Sequence, residues 1–306
     1  MTDVADEGLR SALRDLLMLV DIDVLWPRYS LARVPAVLLD SRDAQHPLAY
    51  CIGDCEPRTA TAKTPRLWRA TLSKPVPPGT AVFGPVSQWH LPGEGEVTAV
   101  SFQRREQAVT VLLHEYFHVQ YQAEYAQSFG DELRGESRGA STATRADLET
   151  SYSTREPVRG ELRKECSALA DALRAGKRDR ATAISALHRF AAARELRRAR
   201  PDAPVFEEDF WERLEGVPVN LERRAAAHFG FPDPSLIGAA VNGSGCELIP
   251  DASYVLMLGG LQGAVLDELG DASAWPNRVY PTDGTPAVAL YRLILELSSE
   301  SERGDT

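Results

Sequence analysis

The sequence predicts an α+β fold, in which an N-terminal, mostly antiparallel sheet packs on one long helix and a mainly helical half follows. Short apolar or alternating segments between turn residues fill positions 33–103, which is typical of strands joined by tight connections. Apolar residues recur at helical spacing through most of the chain after position 157. Because the strands precede the helices and do not alternate with them, the order favours α+β over α/β.

The strand region begins after a predicted amphipathic helix at 5–20, where leucines recur at helical spacing. Turn clusters rich in Gly, Pro, Asp and Ser separate the predicted strands. These strands are expected at 34–39, 47–52, 66–72, 80–83 and 96–102. The last one runs directly into a helix predicted at 104–128, for which Gly130 is a plausible stop.

The second half reads as helices after a long polar segment. Residues 131–157 are rich in Ser, Thr, Gly and charge, and predict a flexible loop. Helices are then expected at 158–175, 179–199, 206–229 with interruptions at Gly216 and Pro218, 252–269 and 287–299. The predicted organisation is therefore a sheet with one helix at 1–130, a loop at 131–157 and a helical subdomain at 158–306.

The strongest chemical signal is His-Glu-Tyr-Phe-His at 114–118. On a helix, His114 and His118 lie one turn apart on the same face, so that two imidazole nitrogens can reach one zinc ion. Glu115 is one position further round, from where its carboxylate can reach a water on the metal without being a ligand. The pattern predicts two zinc ligands and a general base. The plainer interpretation is a buried helix whose histidines hydrogen-bond to the backbone.

A catalytic zinc site needs a third protein ligand. The metzincin pattern would use Glu124, but Tyr121 stands where that pattern has glycine, and a continuing helix would turn Glu124 away. Residues 215–222 read Glu-Gly-Val-Pro-Val-Asn-Leu-Glu. With the preceding HExxH helix, this segment resembles the gluzincins, the zinc metallopeptidases that include thermolysin.

The resemblance implies a zincin-like fold with one Zn²⁺ and makes Glu215 the third ligand. Glu212, one turn earlier, is the alternative ligand. The chain departs from the family at Pro218, where many members have Ala, and at Val219, where thermolysin-like proteins have the Asp that orients a zinc histidine. Glu222, two turns after the ligand, is therefore expected to take that orienting role.

Gluzincins commonly stabilise the developing oxyanion with a Tyr or His from the helical half. Here the resemblance points to Tyr254, which opens the predicted helix 252–269, or to His228. Because neither residue has supporting spacing, ordinary packing or helix capping is the favoured interpretation of both.

Composition limits the location and the partners. The net charge of −10 and the pI of about 5.2 argue against binding to nucleic acid or anionic membranes. The N-terminus lacks the layout of a signal peptide, and no apolar run has the length of a membrane span, so the expected location is cytoplasmic. The four cysteines are then expected to be reduced, and the arginines of 192–200 to form a solvated helix face.

Together these features predict a zinc-dependent peptidase or amidase that acts on a peptide or small amide substrate. The alternatives are an inactive zincin-fold protein that binds peptides, and a helical scaffold in which the motif is fortuitous.

Overall fold

The computed structural model describes the chain in ranges that include the strands, the HExxH helix and most of the sequence from position 156 onward. The described ranges are 25–27, 36–40, 48–53, 66–71, 81–85, 96–102, 105–118, 156–201, 203–232, 236–242, 245–248, 254–281, 285 and 287–303. The predicted helix at 5–20, the stop at Gly130, and Glu124 lie outside them.

The strands of the described ranges form one mixed sheet. They are β1 (Ala36–Asp40), β2 (Leu48–Gly53), β3 (Arg66–Thr71), β4 (Ala81–Pro85) and β5 (Glu96–Phe102), in the order β3-β2-β1-β5-β4. β1 and β5 are parallel, with Ala36 opposite Thr98, whereas the other neighbouring pairs are antiparallel. Helix α1 (Arg105–Phe117) follows β5 almost directly and contacts β5 and β1.

The predicted α+β, zincin-like fold class is wrong. Among the residues whose side chains are placed, 83% are helical and none lies in a strand. The described buried apolar side chains lie on the helices or beside them, so that the part of the protein described in full is mainly helical. Alternating apolar residues locate short extended segments, but they do not determine how much of the molecule those segments form.

The helices after position 155 begin with an antiparallel hairpin. α2 (Glu156–Ala175) and α3 (Arg180–Arg198) are joined by a 3₁₀ turn, Gly176–Asp179, in which Gly176 has a φ of 56°. This pair confirms the helices predicted at 158–175 and 179–199. The following elements are α4 (Val205–Trp211), a π-helical segment (Glu212–Gly216), α5 (Val217–Phe229), α6 (Leu236–Val241), α7 (Gly245–Leu248), α8 (Tyr254–Leu269), α9 (Trp275–Val279) and α10 (Leu290–Arg303).

The chain divides into two compact units. One comprises Met1–Ala123 with Arg224–Pro234, and the other comprises Glu124–Arg223 with Ser235–Thr306. Helix α5 crosses this division, since its residues up to Arg223 are grouped with the second unit and the remainder with the first.

A disulfide joins Cys166 on α2 to Cys246 on α7, with an S–S distance of 2.08 Å. The prediction of reduced cysteines is therefore wrong for this pair. Both side chains are buried, and they come from segments 80 residues apart in sequence, so local spacing gave no sign of their pairing.

In the described part of the chain, no helix combines the length and the apolarity required to cross a bilayer.

Candidate metal centre

Helix α1 presents a buried apolar face and an edge that carries His114, Glu115 and His118. The apolar face is fully buried, and it consists of Val109, Leu112, Leu113, Tyr116 and Phe117. His114 is 8% exposed, while Glu115 and His118 are half-buried. The mixed spacing of three and four residues thus buries one side of the helix and leaves His114, Glu115 and His118 at its edge.

The end of α1 is braced next to His118. The ring of Trp26 meets the ring of Phe117 edge to face, with centroids 5.0 Å apart. The guanidinium of Arg224, on α5, lies over Trp26 at 5.4 Å and donates from Nη1 to the carbonyl of Leu25 at 2.7 Å. Aromatic and cation–π contacts of this kind hold the ring of Phe117, the residue directly before His118.

Three predicted ligands come together. One nitrogen from each of His114 and His118 and one carboxylate oxygen of Glu215 all lie within 4.8 Å of one another. The two imidazole rings meet edge to face with centroids 4.9 Å apart. His118 itself adopts a π-helical turn at the end of α1.

This donor set fits zinc. Two imidazole nitrogens and one carboxylate oxygen are the His₂Glu ligands of catalytic zinc sites, and they leave a fourth position open. Ligand atoms around a tetrahedral zinc with bonds of about 2.0–2.1 Å lie about 3.3 Å apart. Donor atoms within 4.8 Å of one another can approach that spacing through small side-chain rotations.

Glu215 lies in the π-helical segment Glu212–Gly216, between α4 and α5. The predicted interruption at Gly216 and Pro218 is wrong, because the helical backbone continues through both residues. Pro218 is the second residue of α5, directly after the π-helical segment, and it has no N–H to donate into that segment. Short π-helical turns are uncommon and occur often at functional sites, because they redirect a side chain.

Gly216 brings this segment against α8. A Cβ built on Gly216 would lie 2.4 Å from the Cα of Gly259 and 2.6 Å from its carbonyl carbon. Only a residue without a side chain allows this approach, which explains the glycine directly after Glu215.

Glu212, the alternative ligand, is engaged elsewhere. Its carboxylate is 2% exposed and accepts hydrogen bonds from Arg194 on α3 and from Gln262 on α8. The carboxylate that joins the two histidines is therefore that of Glu215, as the gluzincin resemblance implies.

The remaining site predictions are placed but not tested by these contacts. Tyr254 is the first residue of α8 and is 2% exposed. Glu222 is half-buried on α5, and His228 is exposed near the end of the same helix. Their expected roles toward the oxyanion and the zinc histidines stay predictions.

A cluster of charged side chains beside Glu212 was missed. The arginines of 192–200 were expected to face solvent, but Arg194 and Arg197 are 0% and 2% exposed. The signal was their register, because 194 and 197 continue the buried stripe of α3. That stripe contains Ala183, Leu187 and Phe190 at spacings of three and four.

The buried charges compensate one another. Glu165 on α2 accepts hydrogen bonds from Arg194 at 2.8 Å and from Arg197 at 2.6 Å. Burial alone would raise the pKa of the Glu165 carboxyl, but the two guanidinium groups outweigh it and hold this pKa below its ordinary value. Burial likewise acts to lower the pKa of Arg194, and Glu212 and Glu165 reverse that effect.

Comparisons with protein-family models, with curated proteins and with solved structures find no match to this chain.

Proposed function

We propose that this protein is a zinc-dependent peptidase or amidase with a gluzincin-type ligand set of His114, His118 and Glu215. The observation that carries the proposal is the meeting of these three donors, of which the third comes from a distant part of the sequence. Glu115 is the adjacent carboxylate on the same edge of α1, half-buried and one residue after the first ligand.

A bound Zn²⁺ supplies Lewis acidity and lowers the pKa of a coordinated water to about 7. The Glu115 carboxylate accepts a proton from the attacking water as the C–O bond to the substrate carbonyl forms. It then delivers that proton to the nitrogen as the C–N bond breaks, so that an amine and a carboxylic acid leave. Proton transfer of this kind contributes typically about 10²–10⁴-fold to the rate.

The proposed substrate is a peptide or a small amide, since both contain the bond that this chemistry cleaves. Nucleic acid is not a proposed partner, because the net charge of −10 opposes its approach. The cytoplasmic location expected from the sequence stays a prediction. The Cys166–Cys246 disulfide weighs against it, because disulfides persist mainly in oxidising compartments.

Metal stoichiometry tests the ligand set. Elemental analysis of the purified chain should find one zinc in the wild type. At the same free zinc concentration, both His114→Ala and Glu215→Ala should lose this zinc. Glu207→Ala is the matched control, because Glu207 is a half-buried carboxylate on α4 outside the triad, and this variant should keep its zinc. A Glu215→Ala variant that binds zinc as tightly as the wild type would remove Glu215 from the site.

Activity tests the general base. Against libraries of peptides and amides, Glu115→Gln should keep its zinc but lose at least about 10²-fold in kcat/KM. If a substrate is found and Glu115→Gln cleaves it at the wild-type rate, the proposed role of Glu115 is wrong. Zinc-loaded wild type that cleaves nothing in either library would argue for a protein that binds without catalysis.

A further inference from the structure

The charged cluster of Glu165, Arg194, Arg197 and Glu212 includes the first residue of the π-helical segment, Glu212. Arg194 donates to both carboxylate oxygens of Glu212, from Nη1 at 2.8 Å and from Nη2 at 2.5 Å. Its Nε donates to Glu165 at 2.8 Å, so that all three nitrogens of the guanidinium are used. Such a planar fork fixes the direction of its partner carboxylate as well as its distance.

Glu212 is held by a second helix as well. Gln262, on α8, donates from Nε2 to Glu212 Oε2 at 2.7 Å. The backbone of Glu212 also touches α8, because a Cβ built on Gly259 would lie 2.4 Å from the Glu212 carbonyl oxygen. The side chain and the main chain of this residue are therefore both fixed.

Glu212 is the first residue of the π-helical segment, and Gly216 is the last. Gly216 packs against the same Gly259 that touches Glu212, so both ends of the segment are anchored on α8. Glu215 lies between the two anchors. A π-helical turn accommodates one residue more than an α-helical turn, and each α-helical residue turns the chain by about 100°. Relaxation of the segment to an α-helix would therefore redirect Glu215 by a similar angle.

Stability alone does not account for this arrangement. Replacing a buried ion pair by packed apolar residues is often neutral or even stabilising, so a buried network is weak evidence for a purely stabilising role. A network that ends on the residue three positions before a proposed ligand has a more specific use.

We propose that Arg194 is a positioning residue of the metal centre. Its fork on Glu212 holds the π-helical segment in the conformation that places the Glu215 carboxylate beside His114 and His118. This inference rests on the proposed function, since it assumes that Glu215 is a zinc ligand.

Arg197 provides a matched control for Arg194. It is on the same helix, equally buried, and also donates twice to Glu165, at 2.6 and 3.2 Å. It also donates to Glu208 on α4, outside the π-helical segment. Arg194→Lys and Arg197→Lys both keep the charge and lose a fork, but only the first releases Glu212.

The experiment compares zinc affinity and the visible absorption spectrum of the Co²⁺-loaded protein, which reports ligand number and geometry. Arg194→Lys should weaken zinc binding by about 10–100-fold and change the cobalt spectrum. Arg197→Lys should lower the Tm by a comparable amount and leave both metal readouts near the wild type. Equal metal affinities and spectra in the two variants would overturn the positioning role.

A second pair keeps the test decisive if the lysine variants do not fold. Glu212→Gln keeps the volume and a hydrogen bond to Arg194, and it should weaken zinc binding, whereas Glu208→Gln should not. The same zinc affinity in both glutamine variants would overturn the inference. A wild type that binds neither zinc nor cobalt would overturn the proposed function itself, and metal binding that is insensitive to Arg194 and Glu212 would overturn the positioning role alone.

Discussion

At the scale of single residues, the contact between Gly216 and Gly259 determines how closely the π-helical segment approaches α8. A methyl group at either position would meet backbone atoms, which cannot rotate away as a flexible side chain can. The pair therefore fixes the separation between the π-helical segment and α8 at a value that no other residue type permits.

We expect Gly216→Ala to lower the free energy of unfolding by about 1–3 kcal/mol, because the added methyl forces two helical backbones apart. Urea unfolding measures this effect. Gly160→Ala on α2 is the control, since a Cβ at Gly160 meets nothing within 4 Å. That variant should be neutral or more stable by up to about 1 kcal/mol. Equal stabilities for the two variants would contradict the close approach of Gly216.

A candidate site residue could be identified from its spacing in the sequence when its partners are close to it in sequence, but not when those partners are distant. His114, Glu115 and His118 are defined within one helical turn, so their spacing was sufficient. Glu215 is distant in sequence and emerged only through the gluzincin resemblance of its neighbours. Arg194 emerged from neither route, because its proposed positioning role depends on contacts with residues of other helices.

At the scale of elements, the π-helical segment is where sequence reasoning was least adequate. Gly216 and Pro218 were interpreted as breaks, since both residues disfavour the interior of an α-helix. The structure uses glycine for close packing and places proline directly after the π-helical segment. The extra residue of a π-helical turn cannot be recognised from the spacing of apolar residues in the sequence. The turn is held by contacts with Arg194, Gln262 and the backbone of α8, which are distant in sequence.

The N-terminus of α3 provides a pH-dependent test. The Asp179 carboxylate accepts a hydrogen bond from the backbone N–H of Thr182 at 3.1 Å and caps the helix. Hydrogen bonds from the side chain and from the backbone N–H of Thr182 hold the pKa of the Asp179 carboxyl below its ordinary value. The capping stabilisation is therefore present above about pH 4 and is lost as the pH falls through the lowered pKa.

We expect acidification from about pH 6 to about pH 3 to lower the Tm of the wild type more than that of Asp179→Asn, which caps without a titratable group. Asp179→Ala should have the lowest Tm of the three at neutral pH. Thermal unfolding followed by circular dichroism gives these values, and parallel pH profiles for wild type and Asp179→Asn would refute the charged cap.

At the scale of the whole molecule, the positions of the strands were easier to predict than the fold. The predicted strand segments lie within a few residues of β1 to β5, yet the fold class built from them was wrong. The parallel pairing of β1 with β5 joins strands with three others between them in sequence. Connection lengths alone indicated neighbouring antiparallel strands and contained no information about that pairing.

The disulfide is a second long-range feature with a measurable effect. Joining residues 80 positions apart restricts the unfolded chain, so the double variant Cys166→Ala, Cys246→Ala should be less stable by about 2–4 kcal/mol. Urea unfolding of variant and wild type gives the difference. Alkylation of the denatured, non-reduced protein followed by mass spectrometry of its peptides should recover these two cysteines linked, and recovery of both in alkylated form would exclude the bond.

Because helix α5 contributes residues to the first compact unit, that unit cannot be completed until late in synthesis. The first compact unit needs Arg224–Pro234, which leave the ribosome roughly 100 residues after Ala123. At about 5–20 residues per second, the HExxH helix waits about 5–20 s for the guanidinium that covers Trp26. Glu215 emerges only nine residues before Arg224, so a nascent chain acquires the proposed third ligand and the cation that contacts Trp26 at nearly the same moment.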